Sequence, residues 1–196
     1  MSLQLYLASA SPRRKALLNQ LGLHFAVLSI DVSEQQAFSE TAADYVRRLS
    51  FDKAKAGVSI APLSLPVLGA DTIIVCDGKV LEKPRDFEDS KNMLLTLSGR
   101  KHQVLTAITL ANEKHHLTKL ISSDVYFKTL SVSEIQEYWQ TKEPRDKAGS
   151  YAIQGLGGRF VTRIEGSYHA VVGLPLYETE QLLNEFLNLL SEKHES

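Results

Sequence analysis

Apolar and polar positions along this chain alternate between the period of a strand and the period of a helix. Leu3 to Ala8 is a short apolar run and reads as a buried strand. Ser11 then stands as a helix N-cap, Pro12 as the first helical residue, and Leu17, Leu18 and Leu21 as the apolar stripe, with Gly22 just past the end. Phe25 to Ile30 reads as a second strand, and Asp31 to Ser39 as a polar loop that contains Glu34. Thr41, with Asp44 three residues on, predicts a capped helix to Gly57 whose inward stripe is Val46, Leu49, Ser50, Lys53 and Ala54. Pro62 to Pro66 is a linker. Val67 to Cys76 is a buried strand interrupted by Asp71, and Asp77-Gly78 turns it into a hairpin returning through Lys79 to Leu81. Asp86 caps a helix through Leu97 that Gly99 stops. His102 to Leu110 is a strand, Ala111 to His116 a polar turn, and Leu117 to Thr129 a long strand. Ser131 and Glu134 form a capping box for a helix through Trp139. Thr141 to Gly158 reads as a loop around a short strand, Phe160 to Ile164 as a strand, and Pro175 opens a helix through Leu190, leaving the last six residues as a frayed end. Strand and helix signals alternate throughout, which predicts the α/β class in a single domain over residues 1–196.

Composition narrows the function classes. The apolar fraction of 43% and charged fraction of 23% are those of a globular protein. A formal net charge of −1 argues against a nucleic-acid surface spread over the molecule, while leaving room for a local basic site. The single cysteine, Cys76, excludes an internal disulfide and fits a reducing compartment. The N-terminus lacks the pattern of a signal peptide and the longest apolar runs fall short of a membrane span, so the expectation is a cytoplasmic protein with no membrane partner.

The candidate chemistry starts at Ser9-Ala10-Ser11-Pro12-Arg13-Arg14. Two arginines in a first helical turn stand at the positive end of the helix dipole, which disfavours cations by a few tenths to about 1 kcal/mol. Free N–H groups, small hydroxyls and two guanidinium forks after a buried strand make a phosphate pocket. Asp71 is the sharpest acid, since a carboxylate among apolar neighbours costs several kcal/mol unless it is paired or metal-bound. Lys53 lies on an apolar helix face, where snorkelling is the common outcome. Glu34 and the tripeptide Glu82-Lys83-Pro84 add acids suited to a hard divalent ion and a cation suited to phosphate. The six histidines form no metal set: His115 and His116 fall in a turn, and His102 and His169 each open a strand. Gly155-Leu156-Gly157-Gly158 lacks the lysine of a phosphate-binding P-loop, and its glycines read as letting the backbone turn near a ligand.

Taken in order, Ser9-Ala10-Ser11-Pro12-Arg13-Arg14, Gly69-Ala70-Asp71-Thr72, Glu82-Lys83-Pro84, Ser98-Gly99 with His102, Val104 and Thr106, Asp146-Lys147-Ala148-Gly149 and Val172-Gly173-Leu174-Pro175 resemble the motif series of the Maf family of nucleoside-triphosphate pyrophosphatases. The resemblance implies a fold like that of inosine-triphosphate pyrophosphatases: a long mixed central sheet with helices on both sides and two lobes around a cleft. Ala152-Ile153-Gln154-Gly155 is similar to the branch acting on dTTP and UTP, whereas the 7-methyl-GTP branch carries Ser-Glu-Gly in place of Ile153-Gln154-Gly155. By that resemblance Asp71 is the catalytic acid. Ser9, Arg13, Arg14, Lys53, Thr72, Lys83 and Gln154 bind substrate, with Arg13, Thr72 and Gln154 at the specificity positions. Glu34, Asp71 and Glu82 hold Mg²⁺ or Mn²⁺. The run Asp31-Val32-Ser33-Glu34 departs from relatives that place a second acid just before the last position, which leaves the metal-ligand count open. The implied partner is a nucleoside triphosphate, including 5-substituted uridine triphosphates, and no nucleic acid; a homodimer is the candidate assembly. A nucleotide-binding regulator of septum formation without turnover, and the 7-methyl-GTP activity, are the alternative readings.

Overall fold

The computed structural model describes residues 2–192. Its strands are β1 (Leu5–Ala8), β2 (Phe25–Val27), β3 (Val67–Cys76), β4 (Lys79–Leu81), β5 (Lys101–Ala111), β6 (His116–Phe127) and β7 (Val161–Glu165). Its α-helices are α1 (Pro12–Gln20), α2 (Ala42–Ile60), α3 (Phe87–Leu97), α4 (Val132–Gln140), α5 (Tyr168–Val172) and α6 (Leu176–Glu192). The strands form a seven-stranded sheet in the order β2-β1-β3-β5-β6-β7, with β4 added to β3. It is mixed: β1 pairs parallel with β2 and β3, while β3–β4 and β6–β7 are antiparallel. The α/β class is therefore as the periodicity predicts.

The chain divides into two compact units. One holds residues up to Asp71, Thr106–Ile121 and the chain from Gly173 onward; the other holds Thr72–Leu105 and Ser122–Val172. The two units are built from interleaved segments, because β3, β5 and β6 each begin in one unit and end in the other.

In the first unit, α1 begins as the sequence predicts. The Ser11 hydroxyl accepts from the Arg14 N–H at 3.4 Å, and Pro12 occupies the first turn. The helix α2 is capped by Thr41 and buries Tyr45, Val46, Leu49, Ser50, Lys53, Ala54 and Gly57, the predicted stripe with Tyr45 added before it and Gly57 after it. It does not stop at Gly57 but runs on to Ile60. Gly57 serves packing instead: a Cβ there would stand 2.6 Å from the Val67 side chain and 2.9 Å from that of Ala8. The strand β2 is shorter than expected, ending at Val27.

The second unit closes over a core of Ile74, Leu94, Leu97, Val104, Val125, Phe127, Tyr138, Tyr151 and Phe160. The β3–β4 hairpin turns at Asp77 and Gly78, both left-handed with φ of 49° and 74°. The capping box of Ser131 and Glu134 is present. Two expectations are corrected here. The segment after Thr141 contains no strand but three short 3₁₀ turns at Glu143–Asp146, Ala148–Ser150 and Leu156–Phe160, because Pro144 and the left-handed Lys142 and Gly149 interrupt any extended run. His169 lies in α5 rather than opening a strand. Of the end expected to fray, Ser191 and Glu192 continue α6, and the rest lies outside the described residues.

His102 is buried in this core between Phe127 and Tyr151, its Nε2 2.9 Å from the Tyr151 hydroxyl, while its Nδ1 has no partner among the described residues. Burial lowers its pKa from 6.5 to about 4, only weakly opposed by Asp124. The unfolded chain therefore binds a proton that the folded chain refuses between these values. The neutral ring's contribution is whole above pH 6.5 and falls away as the pH drops toward 4, by about 3 kcal/mol at the acid limit. Urea unfolding of wild type and His102→Gln between pH 7 and pH 4 is expected to show a shallower loss of stability in the variant. Identical slopes would mean that His102 takes up its proton in the folded protein as readily as in the unfolded chain.

Candidate active site

Asp71 is 7% exposed within β3, and its position follows from how β3 meets α2. Residues 69 and 71 share one face of the strand because side chains alternate. At Gly69 that face presses on the helix backbone: a Cβ would stand 2.3 Å from the Ser50 carbonyl oxygen and 2.5 Å from the Ala54 nitrogen. The turn of α2 against which Gly69 lies is the turn that carries Lys53. Two residues on, the Lys53 ammonium donates to Asp71 Oδ1 at 2.6 Å. It also donates to Glu34 Oε1 at 2.6 Å, so one buried cation joins two acids that lie 37 positions apart in the chain. Snorkelling, the outcome favoured by spacing alone, is not what Lys53 does: its side chain is 9% exposed and is held at both acids.

Glu34 reaches this point because its loop is fastened to α2. The Tyr45 hydroxyl donates to the Glu34 carbonyl at 2.9 Å. Arg48 makes a two-pronged pair with Glu40 at 2.6 and 2.8 Å and donates to the Gln35 carbonyl at 2.9 Å. That pair holds the Glu40 carboxyl below its usual range.

The arginines of α1 belong to the same group of charges. Arg14 Nε donates to the Gly173 carbonyl at 2.9 Å, and its Nη1 lies 3.5 Å from the buried Ser9 hydroxyl. Burial lowers the Arg14 pKa; Asp71 raises it, Arg13 lowers it as a like charge, and Glu34 raises it. All three of these residues therefore act on Arg14. Arg13, Arg14 and Lys53 set three cations against the two carboxylates of Asp71 and Glu34, an excess that suits a polyanion. Asp71 of β3 thus acts electrostatically on Arg14 at the start of α1.

The remaining expected site residues, Thr72, Glu82, Lys83 and Gln154, lie in the second unit. Thr72 is half-buried, and Glu82 and Lys83 are exposed where the chain leaves β4. The Glu82 carbonyl accepts from the Gly149 N–H at 3.1 Å, which ties this exit to the Asp146-Lys147-Ala148-Gly149 motif. Gln154 is exposed in a turn closed by the Gly155 N–H to the Ala152 carbonyl at 3.2 Å. Among the described residues no three His, Cys, Asp or Glu side chains gather as a metal site. No described helix is long and apolar enough to cross a membrane.

The family model for Maf-like protein matches residues 4–186. The chain belongs to the Maf family. A Vibrio parahaemolyticus protein named dTTP/UTP pyrophosphatase is 59% identical over 186 residues, covering 95% of this chain and 98% of that protein. A protein of the same name from Aliivibrio fischeri is 60% identical over 191 residues, covering 95% of this chain and all of that protein. Among solved structures, a nucleoside-triphosphatase named dITP/XTP pyrophosphatase from Mycobacterium abscessus is similar at 18% identity and a TM-score of 0.44, over 65% of this chain and 76% of that one.

Three contributors to this Maf site carried no role in the sequence reading. Tyr45 and Arg48 look like ordinary members of a helix, and only the folded loop shows what they hold. Gly173 stands within the Val172-Gly173-Leu174-Pro175 motif, yet its carbonyl meets Arg14 across 159 positions, a pairing that no local pattern encodes.

Proposed function

We propose that the protein is a nucleoside triphosphate pyrophosphatase that hydrolyses UTP and dTTP to the monophosphate and pyrophosphate, clearing these and 5-substituted uridine triphosphates from the nucleotide pool. The observation that carries the reading is the buried Lys53 ammonium held at 2.6 Å by both Asp71 and Glu34, within the same group of charges as Arg13 and Arg14. The names of the Vibrio and Aliivibrio relatives support the substrate.

In the proposed reaction a water oxygen bonds to the α-phosphorus and the bond from that phosphorus to the bridging oxygen breaks. Pyrophosphate leaves with the electron pair, and Asp71 takes the water's proton as general base. Most of the barrier is the crowding of negative charge, so positioning and charge compensation carry the catalysis. Arg13 and Arg14 meet phosphate oxygens at the helix start, where the positive end of the helix dipole adds to them. Lys53 holds the Asp71 carboxylate in place and compensates charge beside it.

The donor chemistry suits Mg²⁺ or Mn²⁺. Two carboxylate oxygens already converge on one cation, and such ions complete their shells with phosphate and water oxygens rather than with a protein cage. Glu34 and Asp71 would hold the ion, which when bound supplies charge neutralisation on phosphate and a lowered pKa for water. Assignments of Glu82 to metal and of Ser9, Thr72, Lys83 and Gln154 to substrate are part of the same proposal. The amide of Gln154 offers both a donor and an acceptor, which matches the N3–H and O4 edge of uracil and thymine.

A panel of nucleoside triphosphates with Mg²⁺ and with Mn²⁺, separated by chromatography, tests this. Monophosphate and pyrophosphate from UTP and dTTP are expected. Orthophosphate as first product would replace the reaction by removal of the terminal phosphate, and tight binding without turnover would make the protein a nucleotide sensor.

A further inference from the structure

In the second unit the Glu143 carboxylate sits inside a loop with no cation hydrogen-bonded to it among the described residues. Glu143 Oε1 accepts from the Tyr138 hydroxyl at 2.7 Å and from the Gly157 N–H at 3.0 Å, and its Oε2 accepts from the Leu156 N–H at 2.9 Å. The Tyr138 oxygen in turn accepts from the Ala152 N–H at 3.1 Å. These bonds grip the chain at residues 152, 156 and 157, on both sides of Gln154. The ring of Tyr138 is itself fixed, fully buried and edge-on to Phe160 with centroids 5.0 Å apart.

The glycines of this loop are explained by the same group. A Cβ at Gly155 would stand 2.3 Å from the Glu143 carboxylate, and one at Gly157 would stand 2.6 Å from the Tyr138 hydroxyl. What the missing side chains admit at these two positions is Glu143 and Tyr138, not the ligand that the glycine run suggests when read alone. Burial opposes the charged form of Glu143, but the Tyr138, Gly157 and Leu156 hydrogen bonds, with the charge of Lys147, outweigh it and hold the carboxyl below its usual range.

We infer that Glu143, acting through Tyr138 and the backbone of residues 152–157, is a positioning residue that orients Gln154 and so sets which base the enzyme accepts. The inference rests on the proposed role of Gln154. A flexible amide turned over accepts cytosine as readily as uracil, so discrimination requires that its turn be locked. Glu143 supplies the lock because a carboxylate has only acceptors to offer, and three donors converge on it. In Glu143→Gln one of those donors would face an amide N–H instead. The signal open to sequence reading is weak: one acid beside Pro144, outside any periodic element.

The test compares kcat and KM for UTP and CTP in wild type, Glu143→Gln, Tyr138→Phe and Gln154→Ala, and in Glu143→Gln combined with Gln154→Ala. Glu143→Gln is expected to lower the UTP-to-CTP ratio of kcat/KM by at least about tenfold, mainly through the KM for UTP, as befits loss of hydrogen-bond readout. Tyr138→Phe moves the ratio in the same direction. In the Gln154→Ala background Glu143→Gln adds no further change to the ratio, since both act on one readout. A wild-type ratio in Glu143→Gln, or an undiminished effect of it in the Gln154→Ala background, overturns the inference. Amide exchange at Leu156 and Gly157 provides a readout that needs no substrate: faster exchange in Glu143→Gln is expected, and unchanged protection overturns the lock. If instead wild type releases no pyrophosphate from UTP while Glu143→Gln loosens these amides, the proposed function fails and the lock stands.

Discussion

Asp71→Asn is expected to lower the turnover of UTP by at least about 10²-fold while nucleotide still binds, the scale on which a positioned general base acts. The substitution preserves shape and removes two properties. The amide takes no proton from water, and it forms no ion pair with Lys53, which lies 2.6 Å from the native carboxylate. Because Glu34 remains 2.6 Å from the same ammonium, the buried lysine keeps one counter-charge, and the cost in stability is smaller than the 3–5 kcal/mol typical when a buried ion loses its sole partner. Rate per folded molecule is thus the decisive quantity: pyrophosphate release under saturating UTP, set beside calorimetric binding of the nucleotide. Near-normal turnover would remove Asp71 from the role of base and leave it a structural counter-ion of Lys53.

Gly69→Ala is expected to destabilise the protein by at least about 3 kcal/mol, the upper end of what added volume costs in a packed interior. The reason is what the new methyl group would meet. Its nearest neighbours, the Ser50 carbonyl oxygen at 2.3 Å and the Ala54 nitrogen at 2.5 Å, are backbone atoms inside a helix and have no rotamer to give. Relief requires β3 and α2 to separate, and Lys53 and Asp71 ride on those two elements. Loss of stability in urea unfolding should therefore be accompanied by reduced turnover in the fraction that remains folded. Gly57 provides a contrast on the same helix, since a methyl group there would meet the side chains of Val67 and Ala8 rather than backbone. A Gly69→Ala protein as stable as wild type would show that the approach of strand and helix tolerates more room than these distances imply.

Much of the architecture was legible because its determinants are local. Apolar runs, alternation, Ser11, Thr41, Asp86 and Ser131 as N-caps, and the left-handed turn at Asp77-Gly78 each act within a few residues, and the structure places them where their patterns indicate. The reading was weakest between Thr141 and Gly158. Three short 3₁₀ turns there have no period to detect, and the expected strand is absent. Gly57 misled for a related reason: a glycine that ends a helix and a glycine that lets a neighbour approach look the same in one dimension.

The sequence by itself determined most of the regular strands and helices outside residues 141–172, that an arginine pair opens the first helix, and that a carboxylate lies within a buried strand. Each of these follows from residues adjacent along the chain or one turn apart. Only the tertiary structure decided that Lys53 turns inward to join Glu34 with Asp71, that Gly173 steadies Arg14, and that Glu143 grips the loop around Gln154. Those contacts span from 13 to 159 positions. The Lys53–Asp71 distance is set by how closely β3 packs on α2, a property of Gly69 against the helix backbone that no spacing along the chain records.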